Sequence, residues 1–156
     1  MILNSITLYP TMRYIDAPDL KRRMEEIVSF LDMEHVDLER VECLRSFGSS
    51  SKRTIARCHA LGKMMQKAMK TKAFYAIEFL ERFERMPQSE QDKVIIHELM
   101  HIPKSFGGGF RHHDFVCERN VKIMYDKFTS LRKESQFKVQ DKTQEKDYLL
   151  NKFYFK

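Results

Sequence analysis

Three residues with chemically useful side chains interrupt the apolar segment VIIHELMHIP, which spans residues 94–103. His97 and His101 are four residues apart, so on an α-helix their imidazole rings project from one face and can reach a common point. A catalytic zinc site has three protein ligands and an open position for water. Glu98 would lie beside that position, where it could take a proton from water whose pKa the metal lowers to about 7. The pattern predicts a metal site, with hydrogen-bonded core or surface histidines as the alternative.

A third ligand has to come from outside this segment. His112 and His113 follow a glycine-rich turn that brings the chain back towards the first two histidines. We favour His113 as the third ligand, then His112, and then Glu118 or Cys117. The histidine that does not bind metal would hydrogen-bond a substrate carbonyl or an outer carboxylate, or would be partly exposed. Asp114 would either orient a ligand by accepting its ring N–H or act as an ordinary carboxylate at a helix N-terminus.

The other histidines, cysteines and methionines have a simpler interpretation. His35 and His59 have no matching partners in the sequence, and we expect them to be structural. The three cysteines are widely spaced and form no CxxC pair, so we expect reduced thiols that serve mainly in packing: Cys43, Cys58 and Cys117. We expect the cluster of Met64, Met65 and Met69 to lie in the core rather than to form a soft-metal site.

The histidine segment needs a helix to present it. Ser89 stands in an N-cap position before an acidic first turn, and Pro103 disfavours helical geometry in the residue before it. We therefore predict a helix over residues 90–102. Its apolar side would hold it against the core through Ile95, Leu99 and Ile102.

Hydrophobic periodicity predicts the remaining elements. An amphipathic helix over residues 17–33 would bury a stripe formed by Leu20, Met24, Ile27, Val28 and Leu31. The segment TIARCHALGKMMQKAMK is ambiguous, because its first half is typical of a strand and its second half has a helical stripe; we favour a strand. The other predictions are strands at 38–47 and 73–80, a connection at 82–87, a flexible reversal at 106–109 and a helix at 114–133.

Length and composition favour one soluble domain. A chain of 156 residues can bury roughly two thirds of the surface that its unfolded form exposes, and it has no apolar run of the roughly 18 residues that a membrane span needs. The first residues lack the pattern of a secretory signal, so we expect a cytoplasmic protein without membrane contact. We place the domain at residues 1–134 and a charged tail, mobile or docked through its last apolar residues, at 135–156. The net charge of +6 leaves room for weak contact with nucleic acid.

The segment FYAIEFLERFERMPQSEQDKVIIHELMHIPKSFGGGFRHHD resembles the signature of a group of small zinc metallopeptidases of archaea and phages. It also resembles, more distantly, the SprT-like proteases, which share a short zincin core. The resemblance covers roughly residues 73–114, and RTIARCHALGKMMQKAM upstream is similar to the same group. The HExxHxxGxxH continuation of the metzincins is absent, and the tail from about residue 130 is not covered.

This resemblance implies a fold and a set of site residues. The implied architecture is α+β and zincin-like: a small twisted sheet packed on an N-terminal helix and on the HExxH helix, followed by a C-terminal helix. The implied metal ligands are His97, His101 and His113, because His112 stands where the pattern often has proline, and the implied catalytic base is Glu98. In such peptidases an edge strand binds the extended substrate, which makes residues 73–80 the expected platform.

Zinc-dependent hydrolysis of peptide bonds is the leading hypothesis, with a peptide or protein as substrate and Zn²⁺ as cofactor. A first alternative is a nucleic-acid-associated peptidase, similar to the SprT-like enzymes that act on proteins bound to DNA, for which the net charge of +6 and the basic tail are the support. A second is a structural zinc module, closed by Cys117 or Glu118 as a fourth ligand. The sequence does not predict the oligomeric state or the cleavage preference.

Overall fold

The computed structural model describes residues 11–154 and the side chains of residues 11–144. In chain order the elements are β1 (Arg13–Asp16), α1 (Pro18–Phe30), a 3-10 turn (Leu38–Arg40), β2 (Val41–Phe47), β3 (Ala56–Ala60), α2 (Lys63–Met69), β4 (Tyr75–Leu80), α3 (Glu81–Glu84), α4 (Gln88–Met100) and α5 (Glu118–Tyr154). Two predictions concern residues outside the described part: the absence of a secretory signal in the first residues and the docking of the last apolar side chains. No described helix combines the length and the apolar character that a membrane span requires.

The fold is α+β, as the sequence predicted, and the described strands form one small mixed sheet in the order β1-β2-β4-β3. Strand β4 pairs in parallel with β2 and antiparallel with β3. It is a central strand, so the expectation that residues 73–80 form a substrate-binding edge is wrong. In the described part β3 is an edge strand instead. The sequence did not predict β1, because all four of its side chains are exposed and it lacks the alternation that marks a half-buried strand.

Helices α1 and α4 pack on the same side of this sheet. Alternate residues of β4 point into that core and are almost completely buried: Tyr75, Ile77 and Phe79. The predicted stripe of α1 is buried at all its positions, from Leu20 to Leu31. A 2.7 Å ion pair between Arg23 Nε and the buried Asp92 Oδ1 joins α1 to α4. Packing and ion pair together fix the position of the helix that carries His97 and His101.

Helix α4 begins earlier than the sequence predicted. Pro87, whose φ of −57° already suits a helix start, occupies the N-cap position, and no side chain caps the first turn. The prediction of Ser89 as the N-cap is therefore wrong, because Ser89 lies inside the helix. Its last helical residue is Met100, and Pro103 follows within one turn, as predicted. The connection was predicted at residues 82–87, and the short helix α3 (Glu81–Glu84) occupies the start of it.

The ambiguous segment after residue 54 divides into two elements. Its first half is strand β3, and its second half is helix α2, which starts after Gly62 and ends at Lys70 in a left-handed conformation with φ 52°. The preference for a strand over the second half is wrong. None of the residues of α2 is buried, so the expectation that Met64, Met65 and Met69 lie in the core is also wrong.

The last helix, α5, is both later and longer than predicted. Its 37 residues start at Glu118 instead of residue 114 and continue past residue 133 to Tyr154. Its buried residues Val121 and Phe128 pack on the core, whereas Phe115, predicted to be buried, lies before the helix and is exposed. The helix is continuous across residue 134, and the division into a domain and a tail stays a prediction.

Candidate metal centre

Helix α4 presents two histidines and one glutamate at its C-terminal end. Ile95, Ile96 and Leu99 are fully buried and hold the helix against the sheet. His97 and His101 lie one turn apart and are only partly buried, and their Nε2 atoms are 3.3 Å from each other. Two nitrogen ligands that are each about 2.0–2.1 Å from a tetrahedral zinc ion lie about 3.3–3.4 Å apart. The spacing of this pair is that of two ligands of one zinc ion.

A tight turn after α4 brings the chain back to the same place. Phe106 and Gly108 have positive φ values of 44° and 89°. The Gly108 N–H donates to Tyr75 Oη, and Tyr75 Oη donates to the Gly109 carbonyl, both at 2.9 Å. A Cβ at Gly108 would collide with the side-chain amide of Gln66 and the carbonyl oxygen of Leu61. Glycine is required at residue 108 for both its conformation and its space.

His113 arrives on this returning segment and completes a cluster with His97 and His101. One ligand atom from each of the three histidines lies within 4.8 Å of the other two. Their ring centroids are 5.0 to 6.1 Å apart. His113 is exposed, so its ring is accessible to solvent on one side. The three nitrogens form a donor set that suits a zinc ion with a position left open.

Backbone carbonyls hold two of these rings in one tautomer. The Nδ1 atom of His101 is 3.0 Å from the Arg111 carbonyl oxygen, and that of His113 is 3.4 Å from the Val116 carbonyl oxygen. Because a carbonyl oxygen only accepts, each Nδ1 carries the proton and each Nε2 is left with its lone pair. Burial lowers the pKa of His97, and its electrostatic interaction with His101 and His113 lowers it further. The neutral imidazole that results is the metal-binding form.

Glu98 lies next to this cluster and is only 7% exposed. Burial raises the pKa of its carboxyl to about 7, while the nearby backbone N–H of Cys58 acts in the opposite direction. A cation held by the histidines would act in the same direction as this N–H. A carboxyl poised in this range can both accept and release a proton near neutral pH.

The edge strand β3 passes beside Glu98 with unpaired main-chain groups. Leu61 N–H donates to the Phe74 carbonyl, and Leu80 N–H donates to the Ile55 carbonyl. Hydrogen-bonded pairs alternate along an antiparallel ladder, so Arg57 and His59 make the pairs with β4. The main-chain groups of the intervening residues therefore point away from β4: Ala56, Cys58 and Ala60. The N–H of Cys58 therefore faces away from β4 and lies beside Glu98.

A cleft of about 500 Å³ opens between β3, α4 and α5 and includes His97 and Glu98 in its wall. Its apolar lining is provided by Ile55, Ala56, Val94, Val116 and Val121. Cys117 and Glu118, the alternative ligands, line this cleft but do not belong to the three-histidine cluster found among the described residues. Cys117 is also only partly buried, so its prediction as a buried core thiol is wrong.

The other candidates from the sequence lie outside the cluster. His112 is exposed, and its carbonyl oxygen accepts the N–H groups of Phe115 and Val116. Asp114 Oδ1 accepts the Phe115 N–H at 2.9 Å and orients no histidine. His59 Nε2 is 2.8 Å from Oε2 of the buried Glu78. His35, the remaining histidine, lines a separate cavity near Met33.

Three contributors to the site were not predicted. They are the Cys58 N–H beside Glu98, the Arg111 carbonyl behind His101, and the Tyr75 hydroxyl that holds the glycine turn. The first two are main-chain groups, so no residue type marks them. Tyr75 could have been identified from the sequence as a residue that makes a hydrogen bond, because the hydroxyl of a buried tyrosine usually has a hydrogen-bond partner.

Comparison with known proteins gave one match. The sequence model of a family described as "Putative phage metallopeptidase" matches residues 12–141. This match includes β1 to α4 in full, the three histidines and most of α5. No curated protein and no solved structure matches the chain.

Proposed function

The chain belongs to this family of phage metallopeptidases, and we propose that it hydrolyses peptide bonds with a zinc ion held by His97, His101 and His113. The observation that supports the proposal most strongly is one juxtaposition. Three histidine nitrogens lie within 4.8 Å of one another, and Glu98 is on the same turn of helix beside them. A metal ion is what a metallopeptidase needs, and nitrogen donors in this number favour zinc.

The chemistry that a bound zinc ion supplies at such a site is Lewis acidity, which polarises a carbonyl and makes water more acidic. The protein's part is to move protons. A carboxylate oxygen of Glu98 takes one proton from the attacking water and later delivers it to the nitrogen of the leaving amine. Peptide C–N cleavage is thereby balanced, with the oxygen of water on the new carboxyl group and its protons shared between the products.

Strand β3 supplies a place for the substrate backbone. The free main-chain groups of Ala56 and Ala60 flank Cys58, whose N–H lies beside Glu98. An extended peptide that pairs with this edge would pass directly in front of the proton-transferring carboxyl. The cleft of about 500 Å³ beside His97 would then receive a side chain of the bound peptide.

The number of candidate ligands supports a catalytic site over a structural one. Structural zinc sites are closed by four protein ligands, and catalytic sites have three. Among the described residues the cluster consists of His97, His101 and His113 alone.

The proposal is tested with a library of fluorescence-quenched peptides. Protein reconstituted with zinc should cleave members of the library, and a chelator should abolish cleavage until zinc is restored. Chelator-resistant cleavage, or the absence of cleavage by protein that holds one zinc ion per chain, would contradict the proposal.

A further inference from the structure

A continuous part of the chain, residues 43–77, contains no aspartate or glutamate. The same segment contains eight basic residues: Arg45, Lys52, Arg53, Arg57, Lys63, Lys67, Lys70 and Lys72. Arg45 and Arg57 are neutralised by carboxylates elsewhere in the sheet and α3, including Glu84 and Glu78. None of the ion pairs among the described residues involves the last four lysines, and all four are exposed. They form a positive surface on and just after α2.

Large apolar side chains lie between these lysines. Met64 is 77% exposed, Met65 43% and Met69 59%, and the neighbouring Phe74 is 37% exposed. Helix α2 contributes no buried residue to the core. Exposure of several methionines to water is unfavourable for the folded chain, and an exposed cluster of large apolar side chains usually marks a binding surface. We call these four apolar residues and the lysines at 63, 67, 70 and 72 the lysine–methionine face.

A groove lies along this face. It has a volume of about 350 Å³ and is bounded by α2, by the loop after it and by the ends of β3 and β4. Its wall is mostly apolar and contains His59, Ala60, Leu61, Met69, Thr71, Phe74 and Ala76. A groove with apolar walls and lysines at its side is complementary to a ligand that carries apolar and acidic groups together.

The lysine–methionine face is connected to the candidate metal centre in two ways. Two residues separate helix α2 from the end of β3, the strand whose free edge passes Glu98. The side-chain amide of Gln66 on α2 donates to the Leu61 and Gly107 carbonyls, and Gly107 belongs to the turn that leads to His113. A peptide paired with β3 would therefore continue directly onto α2.

We propose that the lysine–methionine face binds a segment of the substrate polypeptide in which acidic residues alternate with apolar ones, adjacent to the segment that pairs with β3. This inference rests on the proposed peptidase function and adds a substrate class to it. A polypeptide fits the surface better than nucleic acid does. Exposed methionines offer no hydrogen bonds to bases or phosphates, α2 has no arginine, and Phe74 is the single aromatic residue of the face.

The test is a binding measurement that needs no catalysis. Full chain carrying Glu98→Gln is titrated into a short fluorescein-labelled peptide in which Asp and Glu alternate with Leu and Phe, and anisotropy gives Kd. Two further peptides replace the acidic residues by lysine or the apolar residues by serine. The lysine variant of the protein is Lys63→Gln, Lys67→Gln, Lys70→Gln. Its matched control removes the same charge from exposed lysines of α5: Lys133→Gln, Lys138→Gln, Lys142→Gln.

We expect the acidic, apolar peptide to bind most tightly, and the α2 lysine variant to raise its Kd by about tenfold or more while the α5 control has little effect. Met64→Ser, Met65→Ser, Met69→Ser should raise Kd as well, and added salt should weaken binding. Equal Kd values for the three peptides, or equal losses in the two lysine variants, would overturn the inference. So would tighter binding to duplex DNA or to phosphatidylserine vesicles that is lost in the α2 variant alone.

Failure of the inference is distinguishable from failure of the proposed function. If the acidic peptide binds specifically and zinc-loaded wild type cleaves no peptide, the peptidase function is contradicted and the binding face is supported. The opposite outcome is cleavage of library peptides with a kcat/KM that does not depend on acidic residues and does not change in the α2 lysine variant. That outcome would support the peptidase function and contradict the binding face.

Discussion

The backbone N–H of Cys58 on the edge strand β3 lies beside the buried carboxyl of Glu98 on α4, where it opposes the rise in pKa that burial causes. The free edge of the sheet and the helix of the candidate metal centre therefore meet at this pair of residues. A peptide that pairs with β3 would then lie against Glu98, the group proposed to transfer protons.

Glu98→Gln should abolish peptide cleavage and leave zinc bound. The amide has nearly the shape of the carboxyl but takes no proton from water, and loss of a general base typically costs about 10²–10⁴ in rate. Turnover by the zinc-reconstituted variant is measured alongside its zinc content. Cleavage within a few-fold of wild type would remove Glu98 from the mechanism, and loss of zinc would make it a ligand instead.

Gly108→Ala should weaken zinc binding strongly. The added Cβ collides with Gln66 and Leu61 at a positive φ of 89°, so the turn must move and carry His113 away from its partners. Gly109→Ala is the matched control, because a Cβ there has no neighbour within 4 Å. Zinc affinity is measured by competition with a chromophoric chelator. Equal affinities for the two variants would show that the turn does not position the third ligand.

Methylated substrates test the edge strand without changing the protein. In a paired antiparallel strand every second peptide N–H faces the partner, so N-methylation at those residues should reduce kcat/KM by about tenfold or more. Methylation of the alternate N–H groups should have much less effect. The measurement compares a cleaved peptide with its singly methylated derivatives. A loss that does not alternate along the peptide would contradict pairing with β3.

The ion pair between Asp19 and Arg45 should make stability depend on pH in an acidic window. The hydrogen bond from Arg45 lowers the pKa of Asp19 from 3.8 to about 2. Because the folded-state pKa lies below the ordinary value, this stabilisation is present above about pH 4 and is lost as the pH falls towards about 2. The free energy of unfolding is measured in urea across that window for wild type and Asp19→Asn. The difference between the two should shrink as the pH falls, and a constant difference would contradict the shift.

Much of the fold was predictable wherever one residue pattern determined one element. The stripe from Leu20 to Leu31 predicted α1, and the apolar residues of α4 predicted which side of that helix faces the core. The errors occurred where the decisive contacts are distant in sequence. No local pattern shows that β4 pairs on both sides, so the edge was assigned to residues 73–80 instead of β3.

The candidate site divides in the same way. The spacing of His97, Glu98 and His101 follows from helix geometry alone, which is why one segment predicts their shared face. The approach of His113 depends on the hydrogen bonds that Tyr75 makes to Gly108 and Gly109, across more than thirty residues of chain. The methionines of α2 were misjudged because an exposed apolar residue has the same sequence signal as one in the core.

Metal content tests the central claim most directly. Purified wild type, His113→Ala and His112→Ala are supplied with zinc, dialysed and subjected to elemental analysis, and circular dichroism checks that each variant is folded. We predict one zinc ion per chain in wild type and in His112→Ala, and loss of zinc in His113→Ala, because His113 belongs to the three-histidine cluster and His112 does not. Zinc retained by His113→Ala and lost by His112→Ala, or no zinc in wild type, would contradict the account.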